Sequence, residues 1–253
     1  MKEREFAGQK VLITGAGGGL GRALVTLFKA GGASLVACDQ SYDSLADMPV
    51  DERITFDLLD RAAVVKAAAD IVAAGVPDII VNNAGWTRAE SMASLDTEKV
   101  VAEIDLNLTG VIAFTNLLLE GMVERGSGAV VFVSSVNALS HFGNPAYAAA
   151  KAGINAYARA VAVEYGRFGI RANAVCPGSI RTPAWDHRIQ RDAGIPGKLQ
   201  RLYPLQRIVE ATEVAEAVAF LASARASGIT GVALPVDAGL TAGSRPFIDD
   251  ILG

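Results

Sequence analysis

A tyrosine and a lysine stand four residues apart in the segment YAAAK, at Tyr147 and Lys151. On a helix, residues four apart lie on the same face, so the phenol and the ammonium are neighbours. A free tyrosine has a pKa of ~10, too high to accept an alcohol proton at neutral pH, but a nearby positive charge favours the phenolate. The pair therefore predicts a tyrosine with a lowered pKa that acts as a general base or, in reverse, a general acid. The same letters also suit a half-buried tyrosine beside a solvated lysine, so neighbouring motifs must decide.

A second chemical pattern is the glycine-rich segment VLITGAGGGLGRAL, which runs from an apolar stretch into a helical pattern. Glycine lets the backbone approach a ligand closely, and the N–H groups at a helix start favour a pyrophosphate. The strict G-x-G-x-x-G spacing is absent because Leu20 takes the third glycine position, leaving Gly15, Gly19 and Gly21. The segment predicts a phosphate-binding turn, with a merely flexible turn as the alternative.

A carboxylate, Asp39, ends the next apolar run, SLVACD, twenty residues after Gly19. At that position a carboxylate can accept hydrogen bonds from both ribose hydroxyls of an adenosine, and it repels a 2′-phosphate. No Lys or Arg occurs in DQSYDS, which begins at Asp39. The residue predicts NAD rather than NADP as the cofactor. Capping of the following helix is the alternative, and both roles could hold at once.

These residues must be positioned by an alternation of short apolar runs and longer helical patterns. The apolar runs lie at 10–14, 34–39, 53–57, 78–83, 129–134, 171–176 and 232–237, and the helical patterns at 20–31, 61–74, 97–124, 146–167 and 211–224. Continuous apolar runs are typical of strands covered on both faces, and the alternation predicts a parallel sheet with right-handed crossovers. No linker or repeat divides the chain, so we expect a single domain, 1–253, with a substrate-loop segment at about 183–206.

Polar residues follow several of these apolar runs. Asp57, Asn82, Asn83, Ser134 and Ser135 all stand at the carboxyl end of an expected strand. Because ligands bind along that edge of an open parallel sheet, the set predicts a cleft.

Six motifs in order make the chain resemble a short-chain dehydrogenase/reductase over essentially its whole length: TGAGGGLG, Asp57, NNAG, Asn107, the Ser–Tyr–Lys set and PGSIRT. The resemblance implies an α/β fold, a Rossmann-type doubly wound parallel sheet of about seven strands, that binds NAD and interconverts a secondary alcohol and a ketone by hydride transfer. The cofactor-binding residues expected are Gly15, Gly19, Leu20, Gly21, Asp39, Asp57, Leu58, Asn83, Ala84, Gly85, Tyr147, Lys151, Pro177, Gly178, Ile180 and Thr182.

The resemblance also implies a catalytic set of Asn107, Ser135, Tyr147 and Lys151. Lys151 would bind the nicotinamide ribose, Ser135 would donate a hydrogen bond to the substrate oxygen, and Asn107 would help to hold a water that links Lys151 to solvent. A buried Asn107 that only bonds within its helix is the alternative. The distance from Ser135 to Tyr147 is one residue shorter than is common in the family, so Ser134 stays a second candidate.

The substrate wall is expected to include Trp86, His141, Asn144 and Trp185. This mixture favours a sugar or polyol, with a 3-oxoacyl or hydroxy-acid substrate as the alternative. A non-catalytic NAD-binding regulatory protein is a further alternative. An epimerase or dehydratase of the extended relatives normally needs an added substrate domain, for which the chain has no residues to spare.

The composition limits which partners, metals and compartments we expect for the protein. A net charge of -4 and a pI of about 5.3 argue against nucleic-acid binding. Cys38 and Cys176 stand in apolar runs, which predicts buried thiols in a reducing compartment, and two histidines make a metal site unexpected. The apolar segment that begins at Gly110 contains Thr115, Asn116 and Glu120, so we expect a buried helix rather than a membrane span, and a cytoplasmic protein without a signal peptide.

The helical patterns at 97–124 and 146–167 are apolar on more than one face. Apolar surface beyond what the sheet can cover predicts a homo-oligomer. The resemblance implies a tetramer built on these two helices, and a dimer is left open.

Overall fold

Seven parallel strands form the central sheet of the computed structural model, which describes residues 4–87, 91–181, 190–192 and 194–252. The strands are β1 (Lys10–Thr14), β2 (Ser34–Asp39), β3 (Glu52–Thr55), β4 (Ile79–Asn82), β5 (Gly128–Val133), β6 (Ile170–Pro177) and β9 (Ala233–Val236), with β7 (Ile180–Arg181) and β8 (Val209–Glu210) as a separate pair. Their order across the sheet is β3-β2-β1-β4-β5-β6-β9. Strands β2 and β3 are added on one side of β1, and β4 and the later strands on the other. The strand order therefore reverses between β1 and β4, which is where doubly wound sheets open a ligand crevice.

Helices cover both faces of this sheet. They are α1 (Gly19–Ala30), α2 (Arg61–Ala73), α3 (Thr97–Ile104), α4 (Gly110–Arg125), α5 (Pro145–Tyr165), α6 (Ile195–Leu202), α7 (Ala211–Ala222) and the short α8 (Arg245–Phe247). Helices α1 and α7 pack together over one face, while α2, α4 and α5 cover the other. Each face has its own apolar core.

Alternate residues of the strands enter these two cores. In β1, Val11 and Ile13 belong to the core beneath α1 and α7, whereas Leu12 belongs to the core beneath α2, α4 and α5. All three side chains are fully buried. A strand buried on both faces has no polar alternation, which is why the strands read as continuous apolar runs.

The fold confirms the expected doubly wound sheet of seven strands, with most element ends within two residues of the prediction. Several elements differ from the prediction, among them α6, which lies inside the expected loop segment 183–206. A π-helical turn, Asp105–Thr109, interrupts the helix predicted at 97–124, a 3₁₀ turn, Gly166–Phe168, follows α5, and the two-residue strands β7 and β8 were not predicted. Elements this short carry no periodic signal in a sequence.

The combined helix Thr97–Arg125 is long and apolar enough to cross a membrane by length and composition alone. Nearly half of its most apolar window, 44%, is buried inside the protein. Phe114 and Leu118, on its inner face, are fully buried in the core beneath α2 and α5. These contacts are those of a core helix.

Candidate active site

A cleft of about 840 Å³ opens along the carboxyl edge of the sheet. It is lined by every described residue that the sequence singled out for the cofactor: Gly15, Gly19, Leu20, Gly21, Asp39, Asp57, Leu58, Asn83, Ala84, Gly85, Tyr147, Lys151, Pro177, Gly178 and Ile180. Thr182 lies outside the described residues. Segments far apart in the chain therefore meet at the edge where ligands of parallel sheets bind.

The glycine turn between β1 and α1 is held in place by the end of β4. Gly15 has a φ of +63°, and a Cβ there would stand 2.8 Å from the Ala84 Cα. The Asn83 Nδ2 donates hydrogen bonds to the carbonyl oxygens of Thr14 (3.0 Å) and Gly15 (2.9 Å). In return, the Thr14 hydroxyl accepts from the backbone N–H of Asn83 (3.1 Å) and of Ala84 (3.0 Å). Only glycine fits this closely packed, left-handed position.

The start of α1 faces the cleft without a side-chain cap. Gly18 is the N-cap residue and no acidic residue stands in the first turn. A helix start of this kind presents backbone N–H groups and a partial positive charge, so it suits the pyrophosphate of a dinucleotide.

Asp39, at the end of β2, fixes the other side of the glycine turn. Its Oδ2 accepts a hydrogen bond from the Gly17 N–H at 3.0 Å, and its Oδ1 accepts from the Gln40 N–H at 2.8 Å. The alternative in which Asp39 caps a helix is wrong, because the next helix is α2 and its N-cap is Asp60. The carboxylate lines the cleft and keeps further acceptor capacity for ribose hydroxyls.

Tyr147 and Lys151 lie on one face of α5, with the Lys151 Nζ 5.6 Å from the centroid of the Tyr147 ring. Lys151 is 3% exposed, and its ammonium donates a hydrogen bond to the Val133 carbonyl oxygen at 2.9 Å. Burial lowers the pKa of Lys151 to about 8. The ammonium therefore stays mostly charged at neutral pH and loses its proton above pH 8.

The expected lowering of the Tyr147 pKa is wrong. Burial raises the pKa of Tyr147 to about 12, and the hydrogen bond with the Ser135 side chain acts in the opposite direction without offsetting it. Desolvation of the phenolate is the largest cause, because the phenol is buried in the cleft, and the neighbouring Glu103 and Cys176 raise the pKa of Tyr147 further.

The two adjacent serines point to different partners. The Ser135 side chain bonds with Tyr147, and its Oγ accepts from the Asn137 N–H at 3.1 Å. The Ser134 Oγ instead donates to the Lys151 backbone carbonyl at 3.2 Å. Ser135 thus shares the reactive side of the cleft with Tyr147, while Ser134 ties β5 to α5.

Asn107 lies in the π-helical turn, fully buried behind the cleft wall. Its Oδ1 accepts from the Trp86 N–H at 3.1 Å, and its Nδ2 donates to the Trp86 carbonyl at 2.8 Å. The Nδ2 also donates to the Glu103 carbonyl at 3.0 Å, the within-helix bond that the alternative expected. A Cβ on Gly85 would stand 2.8 Å from the Asn107 Oδ1 and 3.0 Å from the Lys151 Nζ. Gly85 therefore lets these two polar groups approach one another.

The cleft, its glycine turn and its Ser–Tyr–Lys set agree with the comparisons to known proteins. Residues 15–241 match the family model described as Enoyl-(Acyl carrier protein) reductase. A solved oxidoreductase of the short-chain dehydrogenase/reductase family from Burkholderia thailandensis is 39% identical, with a TM-score of 0.89 over 96% of this chain and 97% of that chain.

The chain belongs to the short-chain dehydrogenase/reductase family.

Other relatives of this short-chain dehydrogenase/reductase carry more specific names. Levodione reductase of Leifsonia aquatica is 36% identical over 258 residues, which cover 94% of this chain and 96% of the relative. A gluconate 5-dehydrogenase from Burkholderia cenocepacia, solved in complex with NADP and tartrate, is 28% identical, with a TM-score of 0.87 over 95% of this chain and 98% of that chain. The protein is thus an oxidoreductase of a family that acts on CH–OH groups with NAD or NADP.

Only one of the four residues expected to contact the substrate of this short-chain dehydrogenase/reductase lines the cleft in the part of the chain that the structure describes. Trp86 lines the cleft and is 57% exposed. His141 is exposed and Asn144 half-buried, on the loop before α5, and neither lines the 840 Å³ cleft. Trp185 lies outside the described residues. The assignment of these four residues to the substrate stays a prediction.

The backbone gives Asn144 a different explanation. Its φ is +51°, and Pro145 follows it as the first residue of α5. Asn is one of the few side chains that tolerate this left-handed conformation.

One buried residue beside the site was missed in the sequence. Glu103 is 6% exposed, and its Oε2 accepts from the Asn107 Nδ2 at 3.0 Å. The signal was a carboxylate one helical turn before Asn107 inside the apolar stretch VVAEIDLNL.

The two cysteines are free and buried, as predicted. Burial raises the pKa of the Cys176 thiol. Within the described ranges, no group of three or more His, Cys, Asp or Glu side chains is arranged to hold a metal ion.

Proposed function

We propose that this protein interconverts a secondary alcohol and a ketone with NAD as the preferred cofactor and Tyr147 as the general acid and base. The observation that carries the proposal is the convergence in one cleft of the uncapped start of α1, the Asp39 carboxylate and the Tyr147–Lys151 pair. The first two suit the phosphate and ribose of a dinucleotide, and the third suits proton transfer.

The described residues fit such a cofactor. The glycine turn and the α1 start would hold the pyrophosphate, Asp39 the adenosine ribose, Leu58 the adenine and Ile180 the nicotinamide end. When bound, the dinucleotide supplies the hydride for a ketone or accepts it from an alcohol. Asp39 supports NAD because a carboxylate beside the ribose repels a 2′-phosphate.

Proton transfer follows from the charges around Tyr147. At neutral pH the phenol keeps its proton, because burial raises its pKa to about 12. In ketone reduction, Tyr147 donates that proton to the substrate oxygen while the Ser135 hydroxyl donates a hydrogen bond to the same oxygen. The Lys151 ammonium then stabilises the phenolate left behind.

Alcohol oxidation runs the same steps backwards and needs the phenolate first. Reduction needs both a protonated Tyr147 and a charged Lys151, so its rate is expected to fall as the pH rises through about 8, the pKa of Lys151.

Tyr147→Phe tests this function, with Tyr157→Phe as the matched control. Tyr157 lies on the same helix, but its hydroxyl donates to Asn116 of α4 and does not line the cleft. We expect Tyr147→Phe to lower kcat by about 10³-fold, with NADH binding unchanged by fluorescence titration, and the control to keep its activity. Retained activity in Tyr147→Phe would remove Tyr147 from the mechanism. Tight NADH binding without turnover in the unaltered protein would favour a regulatory role instead.

A sugar or polyol is the substrate class we propose. Trp86 on the cleft wall and the likeness to a gluconate 5-dehydrogenase support it. Residues 183–189 and 193 of the expected substrate loop, 183–206, lie outside the described residues, and the role of that segment stays a prediction. A 3-oxoacyl or hydroxy-acid substrate is the alternative, supported by the matching Enoyl-(Acyl carrier protein) reductase model. A panel of secondary alcohols and ketones with NAD(H) distinguishes them. A panel whose good substrates include no polyol or keto-sugar would reject the sugar proposal.

We also infer a cytoplasmic homotetramer. The buried free thiols support a reducing compartment. Exposed apolar residues on α4 and α5, including Leu117 (40% exposed) and Val163 (81% exposed), support burial against another subunit. Sedimentation at micromolar concentration should give four times the chain mass. A dimer would reject the tetramer, and a monomer would reject self-association.

A further inference from the structure

The buried carboxylate of Glu103 has no part in the mechanism above, yet it contacts the site directly. It lies on α3, and its Oε2 accepts from the Asn107 Nδ2 at 3.0 Å. Its position one helical turn before Asn107, with the side chain bonded to the Asn107 carboxamide, makes it a candidate for orienting that residue.

Glu103 restricts the orientation of the Asn107 carboxamide. An ionised carboxylate only accepts hydrogen bonds, so only the Nδ2 of Asn107 can face it. The Oδ1 must then point the other way, toward the Cα of Gly85. The backbone of Trp86 supports the same orientation, because its N–H faces the Oδ1 and its carbonyl faces the Nδ2.

This orientation presents an acceptor to Lys151. The Asn107 Oδ1 and the Lys151 Nζ both lie within 3.0 Å of the point that a Cβ of Gly85 would occupy. The two atoms therefore lie on the same side of Gly85, where one water molecule could bridge them. The ammonium is a donor only, so the opposite orientation of the carboxamide would turn donor toward donor.

Glu103 also supplies charge. Among the described groups, the Tyr147 phenol lies beside the Lys151 ammonium, and Cys176 of β6 and Glu103 of α3 act on both Lys151 and Tyr147. Cys176 and Glu103 each raise the pKa of both residues. Burial raises the pKa of the Cys176 thiol, so the thiol stays uncharged at neutral pH, and Glu103 is the carboxylate among these neighbours.

We propose that Glu103 is a positioning residue for the reaction, which turns the Asn107 carboxamide oxygen toward Lys151 and places an acidic group in the buried cluster that holds the Lys151 ammonium. The proposal rests on the function inferred for Tyr147 and Lys151.

Glu103→Gln tests it, with Glu98→Gln as the matched control. Glu98 is an exposed residue of the same helix, so the control removes the same charge away from the site. Without the Glu103 charge, the pKa of Lys151 falls. The decline of kcat/KM for ketone reduction, expected near pH 8, should therefore move to lower pH by about half a unit or more. The control should keep the original pH profile of kcat/KM. Glu103→Asp, which retains the carboxylate, should have a profile close to that of the unaltered protein.

A loss of kcat with an unchanged pH profile in Glu103→Gln would mean a merely structural role and would overturn the proposal. The same is true if Glu98→Gln shifts the profile equally.

A double-mutant cycle on stability gives a second readout that needs no turnover. If Glu103 and Lys151 are coupled, Glu103→Gln should destabilise the protein less in a Lys151→Met background than in the native one, measured by urea unfolding. A Glu103→Gln chain that folds only with Lys151→Met present also supports coupling, whereas additive effects contradict it. Absence of turnover in the unaltered protein would reject the proposed function, while this cycle still decides on Glu103.

Discussion

The Asp39 carboxylate and the Gly17 backbone N–H form a 3.0 Å hydrogen bond that joins the end of β2 to the glycine turn. One side chain therefore both shapes the turn and presents charge to the cleft. Substitution by alanine would remove the two effects together, so it cannot separate them.

Asp39→Asn separates them in part, because its one amide oxygen can still accept from Gly17, whereas its Nδ2 cannot accept from the Gln40 N–H. We expect the ratio of kcat/KM for NAD over NADP to fall by about tenfold, the effect of ~1.4 kcal/mol, together with a loss of about 1 kcal/mol of unfolding free energy from the missing hydrogen bond. Asp43→Asn, an exposed residue of the following segment, is the control. An unaltered cofactor ratio in Asp39→Asn would reject the role of Asp39 in selecting NAD.

Separate alanine substitutions distinguish the two serines. Ser135 bonds with Tyr147, so Ser135→Ala should lower kcat by about 100-fold, with a cost of about 1 kcal/mol in unfolding free energy from the lost bond to the Asn137 N–H. Ser134 bonds with the Lys151 carbonyl, so Ser134→Ala should mainly cost about 1 kcal/mol of unfolding free energy. Steady-state kinetics and urea unfolding measure both. A larger kcat loss from Ser134→Ala would make Ser134 the catalytic serine.

Lys151→Met should stabilise the fold while it abolishes turnover. Burial lowers the pKa of Lys151 from 10.5 to about 8, a penalty on the order of 3 kcal/mol at neutral pH, partly offset by the bond to Val133 that the variant loses. Between about pH 8 and 10.5 the unfolded chain binds more protons than the native one, so the stability of the unaltered protein rises with pH.

The advantage of Lys151→Met should therefore be largest below pH 8 and vanish as the pH approaches 10.5. Urea unfolding at several pH values measures it. Lys66→Met, at an exposed position of α2, is the control. A variant less stable than the native protein at pH 7 would show that the buried ammonium is fully compensated by its surroundings.

Asn144 distinguishes a backbone role from a substrate role. Its φ of +51° costs a residue with an ordinary side chain roughly 1 kcal/mol, so Asn144→Ala should destabilise the protein and Asn144→Gly should not. If the role is in the backbone, Asn144→Gly keeps the native KM. A raised KM in a stable Asn144→Gly variant would instead place the Asn144 amide in the substrate pocket.

Much of the fold was predictable because a strand that is buried on both faces has a continuous apolar sequence. Strands such as β1 appear as apolar runs, and the amphipathic patterns of α1 and α5 gave their positions within a residue or two. β7 and β8 could not be predicted, since two residues carry no period. The π-helical turn at Asp105–Thr109 was also missed, because one extra residue in a helical turn barely changes the apolar spacing.

The site divides in the same way. Positions at strand ends could be named from topology alone, which is why Asp39, Asn83 and Ser135 all lie at the predicted edge. Energies could not. The direction of the Tyr147 pKa depends on how much water the fold removes, and the proximity of Glu103 to Lys151 depends on where α3 crosses α5.

The parallel arrangement of the sheet has a kinetic consequence. β1 pairs with β2 and with the much later β4, and Asn83 at the end of β4 gives the glycine turn its shape. Such distant pairings require long loops to close, so refolding should be slow, and unpaired valine-rich strands stay exposed to aggregation meanwhile. A dinucleotide that binds only the completed turn cannot speed this assembly, but it should delay the reverse process and protect the finished protein from proteases.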